Sequence, residues 1–547
     1  MFRLFFTLIL LSNSIFAQNL SKSDKELLKY LKSNVSFLAS DELEGRRAGT
    51  KGETLAADFI AGKFKEIGLL PKGASESFFQ PFTVNDGKMI SLKTSLSINN
   101  KVLSQDLDFF PLSNSQNFPL FKGQLSPALT EKGQPWFLDL ADDLEENKTN
   151  PHFDITNLIL AKIIKAKENG ATAVILYNSS SIIDNLNFDT KDRSESLPLP
   201  VLFLNKQSFL SNVPDKNATY DFNFAIEIVP NTRNAKNIIG YIDNKAPFTI
   251  VLGAHFDHLG YGEDGNSMVR TGEKLIHNGA DDNASGTAAL IELAFLLNKS
   301  KEKFYNFLFI AFSAEELGLN GSKYFVENPT ISLNTVNYMI NMDMVGRMND
   351  STKTITVGGY GTSPSWKPIF DGIKNKSFSI KFDSSGSGPS DHTSFYRKDI
   401  PVLFFFTGLH IDYHKPSDDA DKINYIGQLE IVKFIAKLIA SNKPEQKYVF
   451  TKTREQQTST SSRFSVSMGI MPDYSFSGNG VRVDGVSDNR PAKKAGLLTG
   501  DIVKQLGDYK TSSVESYMQA LGKFKKGDAT KVVFLRGTTE MQVEVIF

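Results

Sequence analysis

From Asn237 onward the chain alternates short apolar runs with helical ones, and this restricts the fold more than any other feature of the sequence. The pattern predicts strands at Asn237 to Ile242, Thr249 to His255, Phe307 to Phe312 and Tyr338 to Met342. Helices are predicted at Ala284 to Leu297 and near Gly321 to Val326. Such alternation builds an α/β sheet with helices on both faces. Open sheets of this class place ligands beyond the carboxyl ends of their strands, so the residues that follow each apolar run are where chemistry is expected.

Five clusters occupy that region. They are Gly253-Ala254-His255-Phe256-Asp257, Gly279 to Gly286 with Asp281-Asp282-Asn283 inside it, Ala314-Glu315-Glu316-Leu317-Gly318, Asn341-Met342-Asp343-Met344 and Asp412-Tyr413-His414-Lys415-Pro416. All offer oxygen or imidazole ligands. Donors of this kind without thiolate suit zinc or another borderline divalent ion in a catalytic site, since structural zinc usually recruits cysteine. The chain has no cysteine, and six of its seven histidines (255, 258, 277, 392, 410 and 414) lie between positions 255 and 414, with His152 outside. Two metals close together can bind an attacking water and a substrate carbonyl at once. That needs a bridging carboxylate and about two further ligands on each ion, which the clusters supply.

Length and charge set the surroundings of this site. At 547 residues the chain exceeds one core, and about two to four domains are expected. Formal charge is balanced and like charges never run five or six together, which leaves no basis for a nucleic-acid or anionic-membrane partner. Arg3, the apolar Leu4 to Leu11 and the small-residue site Ser14-Ile15-Phe16-Ala17 before Gln18 read as an export signal over residues 1–17. The apolar stretch is too short to span a bilayer, so the expected destination is periplasmic or extracellular with no membrane span. The lack of cysteine rules out disulfides without contradicting export.

Other parts of the chain have their own texture. Leu27 to about Leu70 is helical, stopped by Gly68 and Pro71. A helical Asn157 to Glu168, the strand-like Ala173 to Tyr177 and then Leu197 to Leu204 resemble, in that order, the protease-associated domain, a small β-rich module. A helix at Tyr425 to Ser441 is followed by Thr451 to Ser462, rich in Thr, Ser and Gln, which reads as a linker. Beyond it Ser467 to Tyr474, Val481 to Val486, Pro491 to Leu497 and Gly500 to Val503 resemble a bacterial PDZ domain, with Met468-Gly469-Ile470-Met471 at the loop that captures a terminal carboxylate. The expected domains are a catalytic one at 18–111 and 233–442, an insert at 112–232, a linker at 443–462 and a PDZ-like domain at 463–547.

Taken as a set, the five clusters resemble the co-catalytic zinc aminopeptidases of metallopeptidase family 28, over roughly residues 27 to 111 and 233 to 442. The resemblance implies the zinc exopeptidase fold: α/β, a mixed sheet flanked by helices, here with an inserted small α+β domain and the PDZ-like domain. It implies two zinc ions per chain, one on His255 and Asp343, the other on Glu316 and His414, with Asp282 as the bridge and Asp281 only its neighbour. Glu315 is then the general base, Tyr413 the donor to the developing oxyanion, and Asp257 the carboxylate that orients His255, two residues away on the same side of an extended backbone. The family often has a cis peptide after the bridging Asp.

Outside the ligand set, His258 and His410 are expected as supporting or surface residues, and His277 as support for the Asp282 turn. Ser390-Asp391-His392, after the Ser384 to Gly388 loop, is read either as lining the substrate cleft or as loop structure without chemistry. Ser285, without a Gly-x-Ser-x-Gly elbow, reads as a residue that caps the helix or lets it approach the sheet, and not as a nucleophile. The implied activity is removal of amino-terminal residues from peptides; the PDZ-like domain is read either as binding a peptide carboxyl terminus or as a module packed against its own catalytic domain without a ligand. The alternatives are a glutaminyl-cyclase-type acyltransferase, a carboxypeptidase for acidic termini that would need arginines such as Arg270 and Arg347, and a binding protein without catalysis.

Overall fold

The computed structural model describes residues 20–150, 153–192, 196–269, 273–301, 303–441, 447–453, 466–472, 476, 478–486, 490–512, 514–525 and 527–547. The expected export signal, His152, Arg270, and the linker residues 443–446 and 454–462 lie outside them. The chain divides into two compact units: residues 1–80, 236–316 and 321–453, and residues 81–235, 317–320 and 454–547.

The first unit is a mixed sheet with helices. We label its main elements α1 (Lys22–Leu38), α2 (Lys51–Ile67), β1 (Ile228–Ile242), β2 (Thr249–His255), α3 (Gly286–Lys299), β3 (Asn306–Phe312), α4 (Asn320–Glu327), β4 (Val336–Met342), β5 (Thr354–Gly358), β6 (Ser379–Phe382), β7 (Val402–Phe406) and α5 (Tyr425–Ala440). The strand order is β1-β3-β2-β4-β7-β5-β6. β3, β2, β4 and β7 run parallel, while β1 and β5 join them antiparallel. Every residue of β2, β3 and β4 is buried, as strands covered on both faces must be.

Local signals account for the helix ends. The Ser21 hydroxyl accepts from the Asp24 N–H and starts α1, and Gly68, at φ 91°, ends α2. α1, α2, α3 and α5 bury Leu31, Ile60, Leu290 and Ile435 in one core with Leu252 and Ile340 of the sheet. Each such side chain contributes about 1.5–3 kcal/mol by leaving water.

Some expectations need correction. The helical zone from Leu27 is two helices with a short turn, Asp41–Arg46, between them. β5, β6 and β7 go beyond the expected strands, although Val402-Leu403-Phe404-Phe405-Phe406 after Pro401 is an apolar run of strand length. The insert starts near residue 81, not 112, because Ser95–Ile98 pairs with Tyr220–Ile226 and Phe109–Pro111 with Val201–Leu204. The expected linker is also shorter, since residues 447–453 belong to the first unit.

Within the second unit one sheet joins Lys101–Val102, Ser95–Ile98, Tyr220–Ile226 and Phe118–Leu125, and another joins Phe109–Pro111, Val201–Leu204, Val174–Tyr177 and Trp136–Asp139. Its C-terminal part is an antiparallel sheet of Ile470–Pro472, Val481–Val486, Ile502–Leu506, Ala529–Arg536 and Thr539–Ile546, with helices Pro491–Lys494 and Val514–Leu521.

Candidate metal centre

The carboxyl ends of the four parallel strands carry the expected site residues. His255 ends β2 opposite Phe312, the last residue of β3. Glu315 and Glu316 follow β3, Asp343 follows β4, and the chain beyond β7 brings in Tyr413 and His414. Asp282 lies in the turn that opens α3, and its peptide bond to Asn283 is cis. Ala314, Met344 and His414 in these connections have φ of 56°, 54° and 53°. Left-handed backbone is uncommon for residues with a Cβ and persists where the surroundings hold it.

Asp282 lies between two groups of donors. Its Oδ1 is 3.3 Å from His255 Nε2, and its Oδ2 is 3.3 Å from His414 Nε2. His255 Nε2 is 3.4 Å from Asp343 Oδ1, and His414 Nε2 is 3.2 Å from Glu316 Oε2. One triad of donor atoms within 4.8 Å is therefore His255, Asp282 and Asp343, while His258, Asp282 and Glu316 form a second. His258 is deeply buried, not at the surface, with Nδ1 2.7 Å from Glu316 Oε1. Two imidazoles, His258 and His414, thus serve the second group. Glu315 Oε2 lies 3.9 Å from His255 Nε2, near the donors without joining either triad.

The electrostatics suit cations. Burial opposes a charge on both imidazoles, yet the surrounding carboxylates, Asp343 and Glu315 for His255 and Glu316 and Asp282 for His414, raise them, His255 well above its usual value and His414 to about 11. Burial works to raise Asp282, but hydrogen bonds from the two imidazoles hold it well below the carboxylate range. For Glu316 burial is likewise outweighed, by the His414 charge and the imidazole hydrogen bonds, and it comes down to about 2. Carboxylates that draw protons onto two imidazoles draw a divalent cation in the same way. Asp343 Oδ1 and His258 Nε2 are buried and make no hydrogen bond, so the donor set fits bound metal.

The supporting residues hold this arrangement. Asp257 accepts the N–H of Glu315 at 3.0 Å and of Glu316 at 3.4 Å, so its carboxylate fixes the adjacent acids. Its approach to His255 Nδ1 is longer, 3.7 Å, and the nearer group there is its own main-chain oxygen at 3.2 Å. Ser285 does not cap α3: its hydroxyl donates to Asp281 and accepts from the Val345 N–H. His277 donates or accepts through Leu275 and Ser267 beside the turn, and His410 Nε2 is 3.2 Å from Asp281 Oδ2. The Ser390 hydroxyl accepts from the Asn341 amide, two residues ahead of Asp343. Asp391 is buried, which raises it to about 7, and His392, lowered by burial to about 3, stacks on Phe404 at 4.4 Å. The Tyr413 ring lies on His414 at 3.9 Å.

Three contributors were not evident in the sequence. Arg46 is fully buried and donates to the carbonyls of Leu38, Phe256, Asn278 and Gly279, tying the His255 and Asp282 segments together. Asp418 Oδ2 accepts the N–H groups of Asp281 and Asp282. Glu53, raised to about 7 by burial, accepts from the Ser313 hydroxyl just ahead of Glu315. Each acts through backbone groups or across the core, for which spacing offers no signal.

Comparison with known proteins follows the same lines. The model of peptidase family M28 matches residues 237–439, the stretch that carries both triads. Residues 237–439 form an M28 peptidase domain. The M28 domain makes the chain a metallopeptidase, a hydrolase of peptide bonds. The PDZ domain model matches residues 450–547. Aminopeptidase YwaD of Bacillus subtilis is 26% identical over 427 residues, covering 75% of this chain and 84% of that protein. Leupeptin-inactivating enzyme 1 of Streptomyces exfoliatus is 32% identical over 173 residues, 29% of this chain and 37% of that enzyme. Among solved structures, a zinc aminopeptidase from Bacillus subtilis is similar at a TM-score of 0.42 and 20% identity, over 78% of this chain and 98% of that one.

Proposed function

We propose that the chain is an exported, two-zinc aminopeptidase that removes amino-terminal residues from peptides. The observation that carries this reading is Asp282, whose two carboxylate oxygens each lie 3.3 Å from a different imidazole. A carboxylate that bridges two ions needs this disposition. Similarity to aminopeptidase YwaD supports the direction of cleavage.

His255 and Asp343 would hold one zinc and Glu316 and His414 the other, with Asp282 between them and His258 beside Glu316. When bound, the pair of ions would lower the pKa of a water and polarise the scissile carbonyl. Glu315 takes a proton from the attacking water and passes it to the leaving amine. Burial raises its carboxyl well above the usual range, which suits a group that must keep a proton between the two transfers. Asp257, by holding both amides, keeps Glu316 and Glu315 turned to different tasks. Burial and the nearby carboxylates hold the Tyr413 hydroxyl well above its usual value, so it remains a neutral donor for the oxyanion.

Arg347 lies 3.1 Å from Asp412 and 3.8 Å from Asp418, and that commitment disfavours a pocket for acidic carboxyl termini. The second donor group around Asp282 favours two ions, which disfavours the cyclase class. The PDZ domain would take a peptide carboxyl terminus, and residues 1–17 would direct export to the periplasm or beyond.

The test is cleavage of a pool of peptides with free or acetylated amino termini, supplied with zinc and read by mass spectrometry. Stepwise loss from free amino termini is expected, with Glu315→Gln lowering kcat by about 10²- to 10⁴-fold while zinc content stays unchanged. Loss from carboxyl termini, cyclisation of amino-terminal Gln, or no turnover would overturn it.

A further inference from the structure

Residues 447–453, just ahead of the C-terminal module, are stitched to the M28 domain. The Tyr448 ring stacks on Tyr338 at 5.3 Å and meets Trp366 edge-on at 5.5 Å, and its N–H donates to Asn337 Oδ1 at 2.7 Å. Phe450 packs on Tyr396 at 5.4 Å, and the Thr451 N–H donates to the Thr362 carbonyl. Thr453 closes the strap. Its N–H donates to Tyr396 Oη at 3.0 Å, its carbonyl accepts from the same hydroxyl at 3.2 Å, and its Oγ1 accepts the Gly386 N–H at 2.9 Å.

Gly386 and Tyr396 are the two ends of the turn that carries Ser390 and Asp391. It opens with Ser384-Ser385-Gly386-Ser387-Gly388, a run whose glycines lose more backbone freedom on ordering than other residues do. Inside the turn the Gly388 N–H donates to Thr393 Oγ1 at 2.8 Å, and that hydroxyl donates back to the Gly388 carbonyl at 2.6 Å. The Ser390 hydroxyl then accepts the Asn341 amide at 2.8 Å, two residues ahead of Asp343. Thr453 is thus tied to the turn at Gly386 and Tyr396, the Thr393 N–H inside the turn donates to the Ser390 carbonyl, and the Ser390 hydroxyl in turn holds the Asn341 amide.

We propose that Thr453 is a positioning residue: with Tyr396 it fixes both ends of the 386–396 turn, and through Ser390 and Asn341 it braces the strand end that presents Asp343. The segment ahead of the C-terminal module is thus part of the catalytic apparatus and not a passive tether. This rests on the reading of Asp343 as a metal ligand.

The experiment uses the full chain with Thr453→Val, which exchanges the hydroxyl for a methyl, and Tyr396→Phe. Thr451→Val is the control, because Thr451 bonds through its main chain. Three quantities are measured: amide exchange over 384–396, zinc affinity by chelator competition, and kcat and KM separately. Both variants should exchange faster over 384–396, bind one of two zinc ions about 3- to 10-fold more weakly, and lose kcat by a similar factor with KM changed less. Unchanged exchange, or faster exchange with zinc affinity and kcat intact, overturns the proposal. If the wild type binds zinc and the variants shift exchange and affinity as stated while no aminopeptidase turnover exists, the positioning role stands and the activity reading alone falls. A wild type that binds no zinc overturns both.

Discussion

Arg46 keeps a charge in a place where water does not reach. Burial lowers its pKa to about 10, with Asp257 and Asp282 acting in the opposite direction, so it stays charged at neutral pH. Its planar fork serves carbonyls on three segments at once, a geometry that a lysine ammonium cannot reproduce. Arg46→Met takes the donor from these carbonyls, of which Gly279 keeps the Ala284 N–H, and a loss of about 3–5 kcal/mol is expected, read from urea unfolding. Arg46→Lys should recover less than half of it, and full recovery would show that charge alone matters. Histidines and paired acids stand out along the sequence at strand ends, where donors are expected. Sequence reading had no means of finding Arg46, whose partners are main-chain oxygens.

Helix α3 carries an acid in the core. Glu292 receives the Asn34 amide at 3.3 Å, and burial raises it to about 8. Between about pH 4.5 and 8 the unfolded chain loses this proton while the folded chain keeps it, so stability falls as pH rises through that window and then levels. Glu292→Gln should remove that slope, on the order of 2–4 kcal/mol at the alkaline end, measured as urea midpoints at about pH 5 and pH 9. An unchanged slope would assign it to other groups. Element positions were legible where the apolar period was long, as in β2, β3 and α5. β7 is a five-residue apolar run whose period cannot tell a strand from a buried helix, and β5 and β6 have mixed exposure without a clean alternation.

Across the whole molecule the donor groups that could hold a metal, among the described residues, all lie in the first unit. Zinc that binds only a folded unit stabilises it by about 2.7 kcal/mol at a hundred times its dissociation constant. Calorimetry should therefore show more than one transition, with chelation lowering the midpoint of one and leaving the others in place. A uniform shift of all transitions would mean that the units unfold together. The sequence alone determined the α/β class, the PDZ-like tail and the donor residue types that could hold a metal. These depend on local period and on side-chain chemistry, both written along the chain. Tertiary structure decided that Asp282 faces two imidazoles, that His258 stands beside Glu316, that Asp257 holds the two acids, and that residues 447–453 belong to the catalytic unit. Those facts depend on which backbone groups meet across the core, and contacts between residues far apart in sequence leave no mark in its periodicity.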